Sequence, residues 1–111
     1  MFASTIKEID ASELARWVND ADHKLRVIDV RQMQEIAMGT VPSAEPLPLH
    51  TLPAKLHEFS PDEKLVMICR SGARSAQACM FLQQQGFSNV HNLRGGMMGW
   101  MQSGLAAHQL A

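Results

Sequence analysis

Cys69 heads the segment Cys69-Arg70-Ser71-Gly72-Ala73-Arg74-Ser75, which gathers a nucleophile, two guanidinium groups, two hydroxyls and a glycine. A short glycine-containing loop that enters a helix can turn its backbone N–H groups inward as an anion cradle. The helix N-terminus adds partial positive charge to that cradle, and Arg70 and Arg74 add full charges. A thiol in such a field is expected to ionise below the ordinary thiol range, and the thiolate is the nucleophilic form. The groups that activate the sulfur can also hold an anionic substrate. A cysteine at a strand end is often only a small buried hydrophobe; the Arg-Ser-Gly-Ala-Arg run after Cys69 is what favours chemistry. Cys79 has no such neighbours. It falls on a helical stripe with Ser75, Ala78 and Leu82, so packing is expected there, with a disulfide to Cys69 as the alternative.

Asp29 and Arg31 stand at the end of an apolar run and are expected to pair and brace that strand end. Arg94 either reaches the pocket from its strand or caps a helix. Met97, Met98 and Met101 with Trp100 are expected to form core and pocket wall. The five histidines (His23, His50, His57, His91, His108) have no ligand spacing, and exposed positions are expected for them. Two cysteines make neither a disulfide framework nor a zinc motif. No metal and no cofactor is expected.

The elements that must position these residues alternate between short apolar runs and helical patterns, which predicts a parallel α/β sheet. Residues 5–9 read as a first strand. Asp10 and Glu13 have capping-box spacing ahead of a helix with Leu14, Trp17 and Val18 on one face. Residues 25–30 read as a buried strand, 32–38 as a short helix stopped by Gly39 and Pro42, and 47–49 as a strand. A helix is expected to open near Leu52 and Pro53. Leu65–Ile68 is apolar throughout, as a strand covered on both faces should be. A helix over 74–85, stopped by Gly86, leads to the strand Val90–Leu93. Gly95 and Gly96 then open a helix that contains Trp100 and ends at Gly104.

The chain has 111 residues, 46% hydrophobic and 19% charged, enough for one core and one domain over 1–111. No N-terminal signal-peptide pattern and no apolar stretch of membrane-spanning length is read, so a reducing, cytoplasmic setting is expected, with no membrane partner. A net charge of −1 supplies no broad basic surface and argues against nucleic acid. The charge is unevenly distributed along the chain. Residues 65–111 contain only Arg70, Arg74 and Arg94 as full charges, so that part carries +3 and residues 1–64 carry −4. An anion site free of competing carboxylates is the expectation.

With these residues in place, the chain resembles the rhodanese family over nearly its whole length. Besides the cysteine loop, Asp29-Val30-Arg31 resembles the family's strand end. Glu35 with residues 39–44 (Gly-Thr-Val-Pro-Ser-Ala) resembles its second signature. Gly86-Phe87 and Leu93-Arg94-Gly95-Gly96 followed by Trp100 resemble its third. Thr40 stands where a His is usual, Ser43 for Gly, Ile36 for an aromatic residue and Met33 for Pro. The resemblance implies a three-layer α/β fold with a central parallel five-stranded sheet and helices on both faces. It also implies a sulfurtransferase with a persulfide on Cys69, cradled by the backbone of Arg70, Ser71, Gly72, Ala73 and Arg74. The implied donor is a small sulfur anion such as thiosulfate, and the implied acceptor is a thiol or a sulfur-carrier protein.

Two other functions use similar parts. Phosphatases and arsenate reductases that share this architecture also join Cys and Arg in an anion-binding loop, but theirs is one residue longer. Only four residues separate Cys69 from Arg74, which suits sulfur better than a tetrahedral oxyanion. Rhodanese-like binding modules usually lack the cysteine. A protein-to-protein sulfur carrier would need the same residues as a thiosulfate enzyme.

Overall fold

The computed structural model describes residues 6–109. Its strands are β1 (Lys7–Ile9), β2 (Arg26–Asp29), β3 (Glu45–Pro46), β4 (Leu65–Ile68) and β5 (Val90–Leu93). Its α-helices are α1 (Ala11–Asn19), α2 (Met33–Ala37), α3 (Ala73–Gln84) and α4 (Gly96–Gln102), and a 3-10 helix covers Leu49–Glu58. The strands form one sheet in the order β1-β5-β4-β2-β3, with every neighbouring pair parallel.

Side chains of a strand alternate between faces, and β4 divides on that rule. Leu65, Met67 and Cys69 join a core cluster with Leu52 of the 3-10 helix and Ala78, Cys79 and Leu82 of α3. Val66 and Ile68 join the other cluster, with Leu14 of α1 and Met97 and Trp100 of α4. Helices therefore cover both faces, and β4, apolar at every position, is buried along its length. Cys69 continues the alternation by one residue beyond β4 and so points to the α3 side.

Most elements lie where the sequence puts them. The Asp10 carboxylate caps α1 by accepting from the Glu13 N–H at 2.9 Å. In the short α2, Glu35 accepts from the Gln32 N–H at 3.1 Å. Of the expected first strand, Thr5 lies outside the described residues. β3 falls two residues before the expected strand at 47–49, and the expected helix near Leu52 is a 3-10 helix with Pro53 inside it. His23 and His91 depart from the expectation of exposed histidines. Both pack on Trp17, with ring centroids 4.8 and 5.3 Å away, and the His91 Nδ1 is buried without a hydrogen-bond partner among the described residues.

Candidate active site

Cys69 leaves the central strand β4 and the chain turns at once into α3. The turn requires Gly72, whose φ of 104° is a left-handed conformation that glycine adopts without steric cost. That conformation aims the Gly72 N–H at Cys69 Sγ, 3.1 Å away. The Ser75 hydroxyl, one turn into α3, lies 3.3 Å from the same sulfur. Cys69 is 1% exposed. Burial acts to raise its pKa, but the Ser75 hydroxyl and the N–H groups of Ser75, Gly72 and Ser71 outweigh it. The thiol is held below its ordinary value. The depression comes mainly from hydrogen bonds of the loop backbone, as the expected N–H cradle implies, and of the Ser75 hydroxyl, ahead of the charges of Arg70 and Arg74.

The two arginines have different surroundings. Arg74 makes a bidentate ion pair with Glu35 of α2, at 2.8 and 3.0 Å. The Arg74 guanidinium holds the Glu35 carboxyl down at about 2. Arg70 is exposed and has no ion pair or side-chain hydrogen bond among the described residues. Its backbone is fixed from the other side by α4. The Met97 and Met98 N–H groups donate to the carbonyls of Cys69 (2.8 Å) and Arg70 (3.0 Å). So close an approach needs Gly96, because a Cβ there would stand 2.5 Å from both carbonyl oxygens. The third signature is thus the clamp that closes the cysteine loop from below.

Asp29 and Arg31 form the expected brace. Arg31 donates to both Asp29 oxygens and to the Gly39 carbonyl, and Thr40 donates to Asp29 Oδ2 at 2.7 Å. The pair is buried and ties the end of β2 to the segment before β3. Thr40, unusual for the family at its position, is absorbed into this network. Ser43 takes a φ of 70°, a left-handed conformation better suited to the usual glycine. Arg94 neither caps a helix nor lines the pocket; it lies 3.6 Å from Glu8 on β1. The expectation of an anion site without competing carboxylates is therefore corrected. Glu35 and Glu8, both from the acidic N-terminal part, come to Arg74 and Arg94.

A cavity of about 490 Å³ opens beside the loop, with Arg31, Glu35, Met38, Arg70, Met98 and Met101 in its lining. Met98 and Met101 are exposed on the cavity wall, Met97 is buried in the core and also reaches that wall, and Trp100 is core. Cys79 is a buried free thiol, as is Cys69, and burial pushes it up to about 12. Sequence reading missed two polar side chains beneath the loop. Ser75 reads from sequence as the end of the cysteine segment and as part of the core stripe, and Asn92 as one residue of an apolar strand, with nothing local to join them. A hydroxyl on an apolar stripe and an amide in a buried strand were the available signals.

The chain is similar to known proteins over most of its length. The family model for the rhodanese-like domain matches residues 10–103. A sulfurtransferase of Allochromatium vinosum is 44% identical over 100 residues, 90% of this chain and 92% of that one. The thiosulfate sulfurtransferase GlpE of Glaesserella parasuis is 29% identical over 101 residues, 91% of this chain and 92% of its own. Among solved structures, a rhodanese-like domain protein of Staphylococcus aureus superposes with a TM-score of 0.84 at 30% identity. That match covers 96% of this chain and 100% of the other. The chain belongs to the rhodanese family.

Proposed function

We propose that this chain is a sulfurtransferase that moves a sulfane sulfur from thiosulfate, or a related persulfide donor, to a thiophilic acceptor through a persulfide on Cys69. One observation carries the reading: N–H groups and a hydroxyl converge on a sulfur that has almost no solvent. Such donors stabilise a sulfur anion without needing to reorganise. Cys69 attacks the outer sulfur of the donor, and sulfite leaves with the electron pair of the broken S–S bond. The backbone of Arg70, Ser71, Gly72, Ala73 and Arg74 holds the persulfide until the acceptor takes the sulfur. The Arg70 side chain draws the anionic donor, and Arg74 with Glu35, like Asp29 with Arg31, keeps the cradle in shape. The methionine-lined cavity is where a thiol or sulfur-carrier acceptor docks. The chain acts as one domain over 1–111 in a reducing, cytoplasmic setting.

Substitution of the cysteines tests the reading. Cys69→Ser is expected to lower sulfur transfer to background. Cys79→Ala is expected to keep most of it, at a stability cost of about 1 kcal/mol for one lost buried atom. Turnover by folded Cys69→Ser protein at the native rate would refute the assignment.

A further inference from the structure

The Ser75 hydroxyl that faces Cys69 belongs to a connected chain of polar side chains beneath the loop, whose other members, Asn92 and Glu8, the reaction above leaves unused. Asn92 on β5 is 2% exposed. Its Nδ2 donates to the Gly72 carbonyl and to Glu8 Oε2, each at 3.1 Å, and its Oδ1 accepts from Ser75 Oγ at 2.5 Å. Both Nδ2 partners only accept, so the amide orientation is fixed; a flip would set oxygen against two oxygens. Ser75 is fully buried, and its hydroxyl oxygen also lies 3.3 Å from Cys69 Sγ. A hydroxyl has one proton to donate. That proton cannot serve Asn92 and Cys69 together, and the shorter contact is with Asn92.

We propose that Ser75 and Asn92 are positioning residues that set the charge state of the Cys69 sulfur. They share the single Ser75 proton between Asn92 Oδ1 and Cys69 Sγ, and Glu8 governs how firmly Asn92 holds it. The proposal rests on Cys69 being the nucleophile. In the thiol form, Cys69 donates to Ser75 and Ser75 donates to Asn92. When the thiol proton leaves to solvent, the Ser75 hydroxyl rotates to the sulfur anion and releases Asn92. The thiolate electron pair then forms the new S–S bond, and the donor's own S–S pair departs with sulfite. Cys69 Sγ becomes a neutral bridging atom, the negative charge sits on the outer sulfur, and the Ser75 proton returns to Asn92.

Ser75 thus supports ionisation and Asn92 opposes it. Glu8, by accepting from Nδ2, polarises the amide and strengthens Oδ1 as an acceptor. Arg94, 3.6 Å from Glu8, gains a route to the nucleophile through this chain without entering the pocket. The other charged or titratable groups near Cys69 are Arg70, Arg74 with Glu35, the Asp29–Arg31 pair at the end of β2, and Cys79 on α3. They are unchanged among the variants below and cancel from differences between them.

The test is the rate of alkylation of Cys69 by iodoacetamide against pH, with the modified site resolved by mass spectrometry. It compares the native protein with Ser75→Ala, Asn92→Leu, Glu8→Ala and the Ser75→Ala/Glu8→Ala double variant. Ser75→Ala is expected to raise the midpoint by about one pH unit or more, the effect of one hydrogen bond to an anion. Asn92→Leu is expected to lower it. Glu8 is exposed, so Glu8→Ala keeps the test open if Asn92→Leu does not fold. It too should lower the midpoint, and should have no effect once Ser75 is Ala. A rise in both Ser75→Ala and Asn92→Leu would mean that the two residues only hold the loop in shape, and would overturn the proposal. So would an equal Glu8→Ala shift in both backgrounds, which is the mark of charge acting through space. A native Cys69 that alkylates with an ordinary thiol midpoint and takes up no sulfur would instead overturn the nucleophile reading, and the proposal with it.

Discussion

Arg70 and Arg74 carry the same charge on the same loop, and their neighbours give them different tasks. Arg74 is held by Glu35, so its charge braces α3 against α2. Arg70 stands exposed at the cavity with no ion pair among the described residues. On the proposed reading, attraction of an anionic donor is therefore expected to depend mainly on Arg70. The second-order rate with thiosulfate is expected to fall with ionic strength, since charges separated by more than about 10 Å are screened at 0.1 M salt. Arg70→Ala is expected to lose up to about tenfold at low salt and most of the salt dependence. A salt dependence that survives Arg70→Ala unchanged would contradict this division of roles. Cys69 and the glycine of its loop could be read from sequence because they are local. The partners Glu35, Asn92 and Glu8 could not, because they stand 39, 20 and 84 residues from the groups they bond.

At the scale of elements, the loop is shaped between two helix starts. Gly72 turns the chain into α3, and Gly96 lets α4 donate to the Cys69 and Arg70 carbonyls. Gly96→Ala places a Cβ 2.5 Å from those carbonyls on a residue with φ of 57°. Backbone strain of this kind costs on the order of 1–3 kcal/mol, so the melting temperature is expected to fall by roughly 5–10 °C. Cys69 alkylation near neutral pH should slow with it, because the cradle loses its shape. Unchanged melting and unchanged Cys69 reactivity would show that the clamp is dispensable. β4, β5 and α3 were legible because burial on both faces, or on one stripe, writes itself into the apolar pattern. β3 was not. Glu45 and Pro46 carry no strand signature, and only the parallel register with Ile28 and Asp29 makes them one. The stretch Leu49–Glu58 contains Pro53, which has no N–H to donate, and winds as a 3-10 helix.

Across the whole molecule, the folded chain offsets the charge asymmetry of its sequence at Arg74 and Arg94 and leaves Arg70 without an ion pair among the described residues. The carboxylates that take Arg74 and Arg94 come from the acidic N-terminal part, and Arg31 is taken by Asp29. Ionisable groups also set how stability follows pH. Burial pushes the His91 pKa below its ordinary 6.5. The unfolded chain then binds that proton more readily, so the stabilising contribution is full above 6.5 and is lost as pH falls below it. The Glu35 carboxylate, held at about 2, adds a further loss as pH falls below its ordinary 4.5. The Glu35–Arg74 pair is partly solvent-exposed, so that share is at most about 1 kcal/mol. Cys79 works in the opposite direction. Its pKa rises on folding from 9.0 to about 12, so its contribution is full below 9 and is lost as pH rises through 12. The lowered Cys69 pKa adds stability that is full above 9 and declines as pH falls. Denaturant unfolding should therefore show greatest stability toward the upper end of the range from about 6.5 to 9. Cys79→Ala is expected to flatten the alkaline limb, and a limb of unchanged steepness would contradict the assignment to that thiol.

The most direct measurement is the mass of the intact protein and of its Cys69 peptide after incubation with thiosulfate. A gain of one sulfur atom on Cys69 is expected, with Cys79 unmodified and aryl phosphates not hydrolysed above background. Efficient phosphate hydrolysis, with no sulfur gained on Cys69 from thiosulfate or a persulfide donor, would contradict the account.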